Sequence, residues 1–507
     1  MKKILLALAF SLVAAAAYSQ LSFTVDGICY TTTGVNTVKI GSGGSYSGSI
    51  DIPSTVNFSN VAYTVVAIGD NAFYDCRNLT SVNIPSTVTS LGDNAFFLCQ
   101  GLTVLNIPSS VTSIGKSAFF LCSGLTSITI PSSITTIGDN AFSYCSGTDS
   151  INIPSSITSI GYEAFRSCSG LFNVDSNNTN FSSKDGVLYN KNATLLLYCP
   201  TTFQNSFTIP SSVTSIGNYA FARCIGLTSI NIPASVTSIG NEAFSECSGL
   251  TFMNIPSSIS TLGVYVFNSC TGLTSINIPS SVTAIGYGTF FQCTGLTSIY
   301  LPSSVTEIGD VAFLGCSGLT SINIPTSITS IAYAAFGSCS SLTSINIPIS
   351  VTSLKENAFI NCTGLTQIMV NSTTPPIVGI SAFKGINKSN CTLFVPMGSF
   401  ADYKGALQWN DFVNIVEFDP TGVRTIQNSN IQLYPNPTST FLNLFFGEDN
   451  APKILKIYNS IGQKVYDSKV SDSQFQMDVS AYSSGLYFII GEDKNGQTLR
   501  QGRFIKE

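Results

Sequence analysis

Twelve of the fifteen cysteines in this 507-residue chain recur at one spacing. Cys76, Cys99, Cys122, Cys145 and Cys168 step by 23 residues, and so do Cys224, Cys247, Cys270, Cys293, Cys316, Cys339 and Cys362. Stacked as a column, they admit three chemistries: metal ligation, a disulfide ladder or packed free thiols. Zinc needs a tetrahedral cage, which a straight column of parallel side chains does not supply. Rungs about 4.8 Å apart fall inside the Cα range of a disulfide, but parallel Cβ vectors set the sulfurs poorly. Buried cysteine otherwise behaves as a small hydrophobe. Free, packed thiols are therefore the better reading, with no metal and no cofactor implied. Cys29, Cys199 and Cys391 fall off the column.

Other reactive constellations are thin. There is no histidine, which excludes Ser-His-Asp and Cys-His nucleophile systems and histidine-based zinc sites. Glu242, Glu246, Glu307 and Asp310 are scattered acids. A carboxylate pair among them would suit glycoside hydrolysis, but no pairing repeats, so solvated surface charge is the better reading. Glycines at 92, 115, 138, 161, 217, 240, 263, 286 and 309 are too far apart to form one phosphate loop and mark a tight corner. Ala332 and Lys355 hold the same position, so a positive φ is not obligatory there. A net charge of −5 and the absence of any basic residue between Arg223 and Lys355 argue against a nucleic-acid partner. The chain reads as a non-enzyme.

A 23-residue repeat positions these columns. Its typical unit is NIPSSVTSIGxxAFxxCSGLTSI, with Ile-Pro or Leu-Pro pairs beginning at Ile84, Ile107, Ile130 and Ile153, then from Ile209 to Ile347. Leu125, Ile128 and Ile130 alternate with Ser127 and Thr129, the period of a strand. Pro131 lacks the N–H to continue the ladder. Ala141, Phe142 and Cys145 fall at tight-turn or helical spacing. One coil buries too little to stand alone, so only stacked, capped coils are stable. The expected fold is a mainly β solenoid with short helical turns, counted as about fifteen rungs, followed by a small β-sandwich.

The expected domains run in order. Residues 1–19 read as a secretory signal peptide: Lys2 and Lys3, the apolar run Ile4 to Ala17, and a small-residue cut before Gln20. Residues 20–50 form an N-terminal cap and 51–370 the repeats, with a hairpin insert at about 177–208 around Lys191-Asn192. Residues 371–418, with the single tryptophan Trp409, form a C-terminal cap. Residues 419–430 are a linker, and 431–507 carry short alternating runs of a β-sandwich. No other apolar stretch has the length of a membrane span.

The unit IPSSVTSIGxxAFxxCSGLTSI, kept in register over roughly residues 50–400, closely resembles the BspA-type leucine-rich repeats of bacterial surface proteins. The tail is similar to the C-terminal sorting domain read by the type IX secretion system. The matching motifs are Tyr434-Pro435-Asn436-Pro437, Gly462-Gln463-Lys464-Val465, Ser484-Gly485-Leu486-Tyr487 and Arg503-Phe504-Ile505-Lys506. The resemblance implies Sec export, passage through type IX machinery, and a secreted or outer-membrane surface-attached protein that adheres to host or bacterial surface proteins.

The outward column of the strands then becomes the candidate ligand face. It reads mostly asparagine, including Asn254, Asn277 and Asn323, with Tyr300 in line and Phe252 in the neighbouring serine column. Amides and hydroxyls suit wet hydrogen bonding, and two aromatics suit anchoring. The bland reading is that asparagines satisfy one another between rungs. Adhesion or protein–protein interaction through this face is the expected function; glycan capture by a carbohydrate-binding surface protein is the alternative.

Overall fold

The structure is a computed structural model and describes residues 20–418, 431–434, 438, 440–446, 452–459, 463–470, 474–483, 485–494 and 498–506. The expected signal peptide (1–19) and linker (419–430) lie outside the described residues, as do Pro435, Asn436, Pro437, Gly462 and Ser484. The fold is a β-solenoid of about 17 coils with almost no helix. The chain divides into two compact units. One holds residues up to Gln204 with Ser212–Gly226 and Gly240–Phe244; the other holds Asn205–Ser211, Leu227–Ile239 and everything from Ser245.

In the first unit each coil repeats its neighbour in register. Strand Ser127–Thr129 runs parallel to Ser150–Ile153, pairing Ser127 with Ser150, Ile128 with Ile151 and Thr129 with Asn152. Like therefore stacks on like. Ile128 and Ile151 are fully buried, because alternate residues of a strand face opposite sides. After the proline a turn closes when the Ile134 N–H donates to the Pro131 carbonyl at 3.1 Å. A second short strand follows, Thr136–Ile137, paired in parallel with Ser159–Ile160.

The helical turns expected at Ala-Phe-x-x-Cys are single i→i+3 turns, as where the Cys122 N–H donates to the Phe119 carbonyl at 3.2 Å. Alternate N–H groups of that segment point to the next coil instead. Phe119 donates to Ala141 at 2.8 Å and Leu121 to Ser143 at 2.9 Å. Two residues per coil are left-handed: one two places after the corner glycine (Asn71, Asn94, Ser117, Asn140) and one two places after the phenylalanine (Asp75, Leu98, Leu121, Tyr144). The phenylalanines stack face to face, with centroids 4.9 Å apart for Phe73–Phe96, 5.1 Å for Phe96–Phe119 and 5.2 Å for Phe119–Phe142.

The ends join the ladder. Strands Ser22–Val25, Ile28–Gly34 and Thr37–Ile40 form an antiparallel meander, and Thr37–Ile40 then pairs in parallel with Val61–Ile68. The insert has its hairpin, Val187–Asn190 against Leu195–Tyr198, and one strand more, Phe181–Lys184. Leu195–Tyr198 runs parallel to Ser215–Ile216.

In the second unit the phenylalanine stack runs from Phe267 to Phe383 and ends on Trp409, 4.8 Å away. Trp409 is fully buried, and its indole N–H donates to the Pro376 carbonyl at 2.9 Å. Helix α1, Phe400–Gly405, is anchored by the Tyr403 hydroxyl donating to Ser372 O at 2.7 Å. The last coil strand, Asn414–Phe418, pairs in parallel with Thr392–Pro396. The tail has two antiparallel sheets, Gln432–Tyr434/Phe441–Phe445/Gln474–Asp478 and Lys464–Lys469/Ile454–Asn459/Gly485–Glu492/Thr498–Lys506. Leu442, Leu444, Leu455, Ile457, Ile489 and Phe504 fill its core.

Candidate functional site

The outward strand face is built by the same alternation that fills the core: Met253 and Ile276 turn inward, so Asn254 and Asn277 turn out. Asn254 pairs with Asn277 across parallel strands Phe252–Asn254 and Ser275–Asn277. The Asn277 amide donates to the Asn254 side-chain oxygen at 2.8 Å. Similar bonds run from Asn173 to Asn152 at 3.3 Å and from Asn371 to Asn346 at 3.1 Å. Asn323 serves the backbone instead: its oxygen accepts the Leu301 N–H at 2.8 Å and its amide donates to the Leu301 carbonyl at 2.7 Å. The asparagine column thus has a structural job along much of its length, and those side chains keep only their remaining lone pairs and hydrogens for a ligand.

The two aromatics are placed differently. Phe252 is half-buried and pairs with Ser275, itself buried. The Tyr300 ring stacks on Phe445 of the tail at 4.8 Å with the planes 24° apart. Phe445 is 3 % exposed. This partner had no signal in the repeat, because the tail lies outside its period.

The sorting motifs fall on the edges and core of the tail sheets. Tyr487 is buried, stacks on Phe504 at 5.1 Å, and donates its hydroxyl to Ser483 O at 2.8 Å. Gly485 pairs with Lys506, which is also buried, and Leu486 with Ile505. Tyr434 pairs through its backbone with Asn443; its side chain and that of Leu486 lie outside the described residues. Lys464 and Arg503 are exposed, and Lys464 is paired with Asp467 at 2.5 Å.

The thiol column is free and packed. All cysteines except Cys29 are buried. Each typical thiol donates to the carbonyl of a phenylalanine one coil back: Cys99 to Phe73 at 3.0 Å, Cys122 to Phe96 at 3.1 Å, Cys316 to Phe290 at 3.0 Å. Burial pushes Cys99, Cys270 and Cys316 up to about 12, away from the thiolate that metals and nucleophilic chemistry require. Among the described residues no three His, Cys, Asp or Glu side chains are gathered so as to hold a metal. The scattered acids need correction in one case. Glu242 is not solvated charge but binds Arg166 at 3.0 Å, whereas Asp310 is exposed as expected and also accepts the Tyr333 N–H at 2.9 Å. Asp310 thereby ties its coil to the next, and Glu242 reaches back past the Tyr219 coil to Arg166.

Several solved structures are similar to the chain. A leucine-rich repeat protein from Bacteroides ovatus is 31 % identical, over 78 % of this chain and 100 % of its own, at a TM-score of 0.48. One from Eubacterium ventriosum is 27 % identical, over 73 % and 95 %, at 0.51. The pneumococcal vaccine antigen PcpA is 19 % identical, over 71 % and 98 %, at 0.51, and shares the fold. No curated protein matches. Residues 432–506 match the secretion system C-terminal sorting domain. The BspA type leucine rich repeat region matches in six copies, over 54–194, 197–317 and 288–401. With coils stacked in register over the same span, the chain belongs to the BspA-type leucine-rich repeat family.

Proposed function

We propose that this exported, cell-surface repeat protein adheres to proteins of a host or of other bacteria through the outward face of its strands. Export and surface display rest on the sorting domain; among the described residues no helix is long and apolar enough to cross a membrane. The observation that carries the binding reading is the pair of aromatics, Phe252 and Tyr300, on a strand face made mostly of uncharged amides and hydroxyls. Aromatic anchors in a polar, wet surround are the usual composition of a protein-binding hot spot. The Tyr300–Phe445 stack adds a condition. While the tail is attached, one anchor is occupied, so the form lacking the tail binds better.

Immobilised extracellular-matrix proteins and a glycan array, probed with the chain before and after tail removal, test this. Binding to matrix proteins is expected to rise on tail removal and to fall roughly tenfold or more in Phe252→Ala/Tyr300→Ala. Unchanged binding by the double variant removes this face from the reading. Retention on glycans alone selects the carbohydrate-binding alternative.

A further inference from the structure

We infer a second binding site at the N-terminal end of the first unit: a cleft that takes an extended, basic polypeptide segment as an added strand. The cleft has a volume of about 540 Å³. Its floor is apolar, with Ile28, Tyr30 and Val56 all buried. Its rim carries the exposed carboxylates of Asp26 and Asp51, and none of the residues lining it is lysine or arginine. Asp26 is held on the rim by the tight turn it forms with Gly27, both at positive φ.

One wall is strand Gly48–Asp51, the first rung of the outward strand face. It pairs in parallel with Leu79–Asn83 and, among the described residues, is the terminal strand of its sheet. The Gly48 N–H donates to Asn78 O at 2.9 Å and the Ile52 N–H to Asn83 O at 3.1 Å. Even-numbered positions therefore face the solenoid, and Ser49 and Asp51 turn their N–H and C=O groups the other way, since successive residues of a strand alternate. No residue of Leu79–Asn83 lines the cleft, so the cleft opens on that free edge. An open edge beside an apolar floor is the geometry of strand addition: main-chain hydrogen bonds supply affinity, and the surroundings select side chains. Two carboxylates without a basic partner on the rim select cations and repel acidic segments. This site is independent of the aromatic pair proposed above, which lies in the second unit.

The test uses the full chain and a fluorescein-labelled, end-blocked eight-residue peptide of alternating lysine and valine, followed by anisotropy. Saturable binding is expected, weakened roughly tenfold in Asp26→Asn/Asp51→Asn. Both carboxylates are exposed, and an unchanged thermal melt shows that the variant is folded. N-methylating alternate peptide amides in one frame should abolish binding, and in the other frame leave it largely intact, because only alternate N–H groups meet the edge. Absence of saturable binding, equal affinity in the double variant, equal affinity for a glutamate–valine peptide, or indifference to methylation in both frames overturns the proposal. So does a concentration-dependent dimer of the protein alone that Ser49→Pro abolishes, which would give the edge to a second copy.

Discussion

At Gly115 a Cβ would lie 2.5 Å from the backbone carbon of Gly92 and 2.6 Å from the Asp93 nitrogen. At Gly286, the same repeat position in the second unit, the nearest atom would be Leu262 O at 3.4 Å. Neither glycine is left-handed, so the corner needs glycine for close approach of coils and not for its φ. Gly115→Ala should therefore destabilise the protein by about 1–3 kcal/mol through overpacking. Gly286→Ala should stay within about 1 kcal/mol of wild type, because the unfolded chain loses freedom and no backbone must move. Urea midpoints of the two variants check this, and equal losses would refute it. The same closeness explains the hydroxyls. Ser110 donates to Val88 O at 2.6 Å and Thr126 to Thr103 O at 3.3 Å, so much of the serine and threonine content bonds one coil to the next.

The insert breaks one element of this order. Elsewhere in the first unit, turn N–H groups donate to the following coil, as Tyr144 does to Arg166 O at 2.8 Å. After the next rung, Leu171–Val174, the chain enters the insert, and Arg166 bridges the interruption. It binds Glu163 and Glu242, each at 3.0 Å, and lies 4.1 Å over the Tyr219 ring. The Tyr162 and Tyr219 hydroxyls meet at 3.0 Å. The Arg166 side chain is 16 % exposed, so removing it strands carboxylates that are nearly out of water. Arg166→Ala should cost about 2–4 kcal/mol. Arg166→Lys should recover less than half, since an ammonium cannot both fork to two carboxylates and stack on a ring. Urea unfolding and proteolytic nicking within residues 177–208 report it; a loss under about 0.5 kcal/mol would rule the bridge out. In-register repetition made the strands and the thiol column legible, because each coil predicts its neighbour. The Arg166 bridge and the Phe445 ring over Tyr300 were not legible: Tyr219 and Glu242 reach Arg166 across the insert that interrupts the period, and Phe445 lies in the tail outside it. The aromatic face was read from Phe252 and Tyr300 themselves, while the cleft at Asp26 and Asp51 depends on strand pairing at a cap where the repeat has not begun.

At the scale of the molecule the thiols make stability depend on pH in one direction. Buried thiols run through both units. Burial raises Cys99, Cys270 and Cys316 to about 12 and Cys391 to about 11, and holds Cys122 and Cys293 well above their usual value. An unfolded thiol loses its proton near pH 9, the ordinary value. Above that pH the unfolded chain binds fewer protons than the folded one, so stability falls as pH rises. It is fully present below pH 9 and is lost towards pH 12. Each such thiol contributes about 1.4 kcal/mol per pH unit in that window, and a few together are comparable to the whole stability of a typical domain. Urea unfolding at pH 7.5, 9 and 10 should show a smaller loss over the first step and a steeper one over the second. Replacing Cys99, Cys122 and Cys145 by alanine should flatten that loss while lowering stability at pH 7.5. Maleimide labelling at pH 7.5 should modify Cys29 first, the one cysteine not buried, and the others only on unfolding. Stability that stays level to pH 10, or rapid labelling of the column in the native protein, would show that the thiols are not sealed. Sealed thiols are what allow an exported chain with an odd number of cysteines to fold without pairing them, since oxidation and exchange both begin from an accessible thiolate.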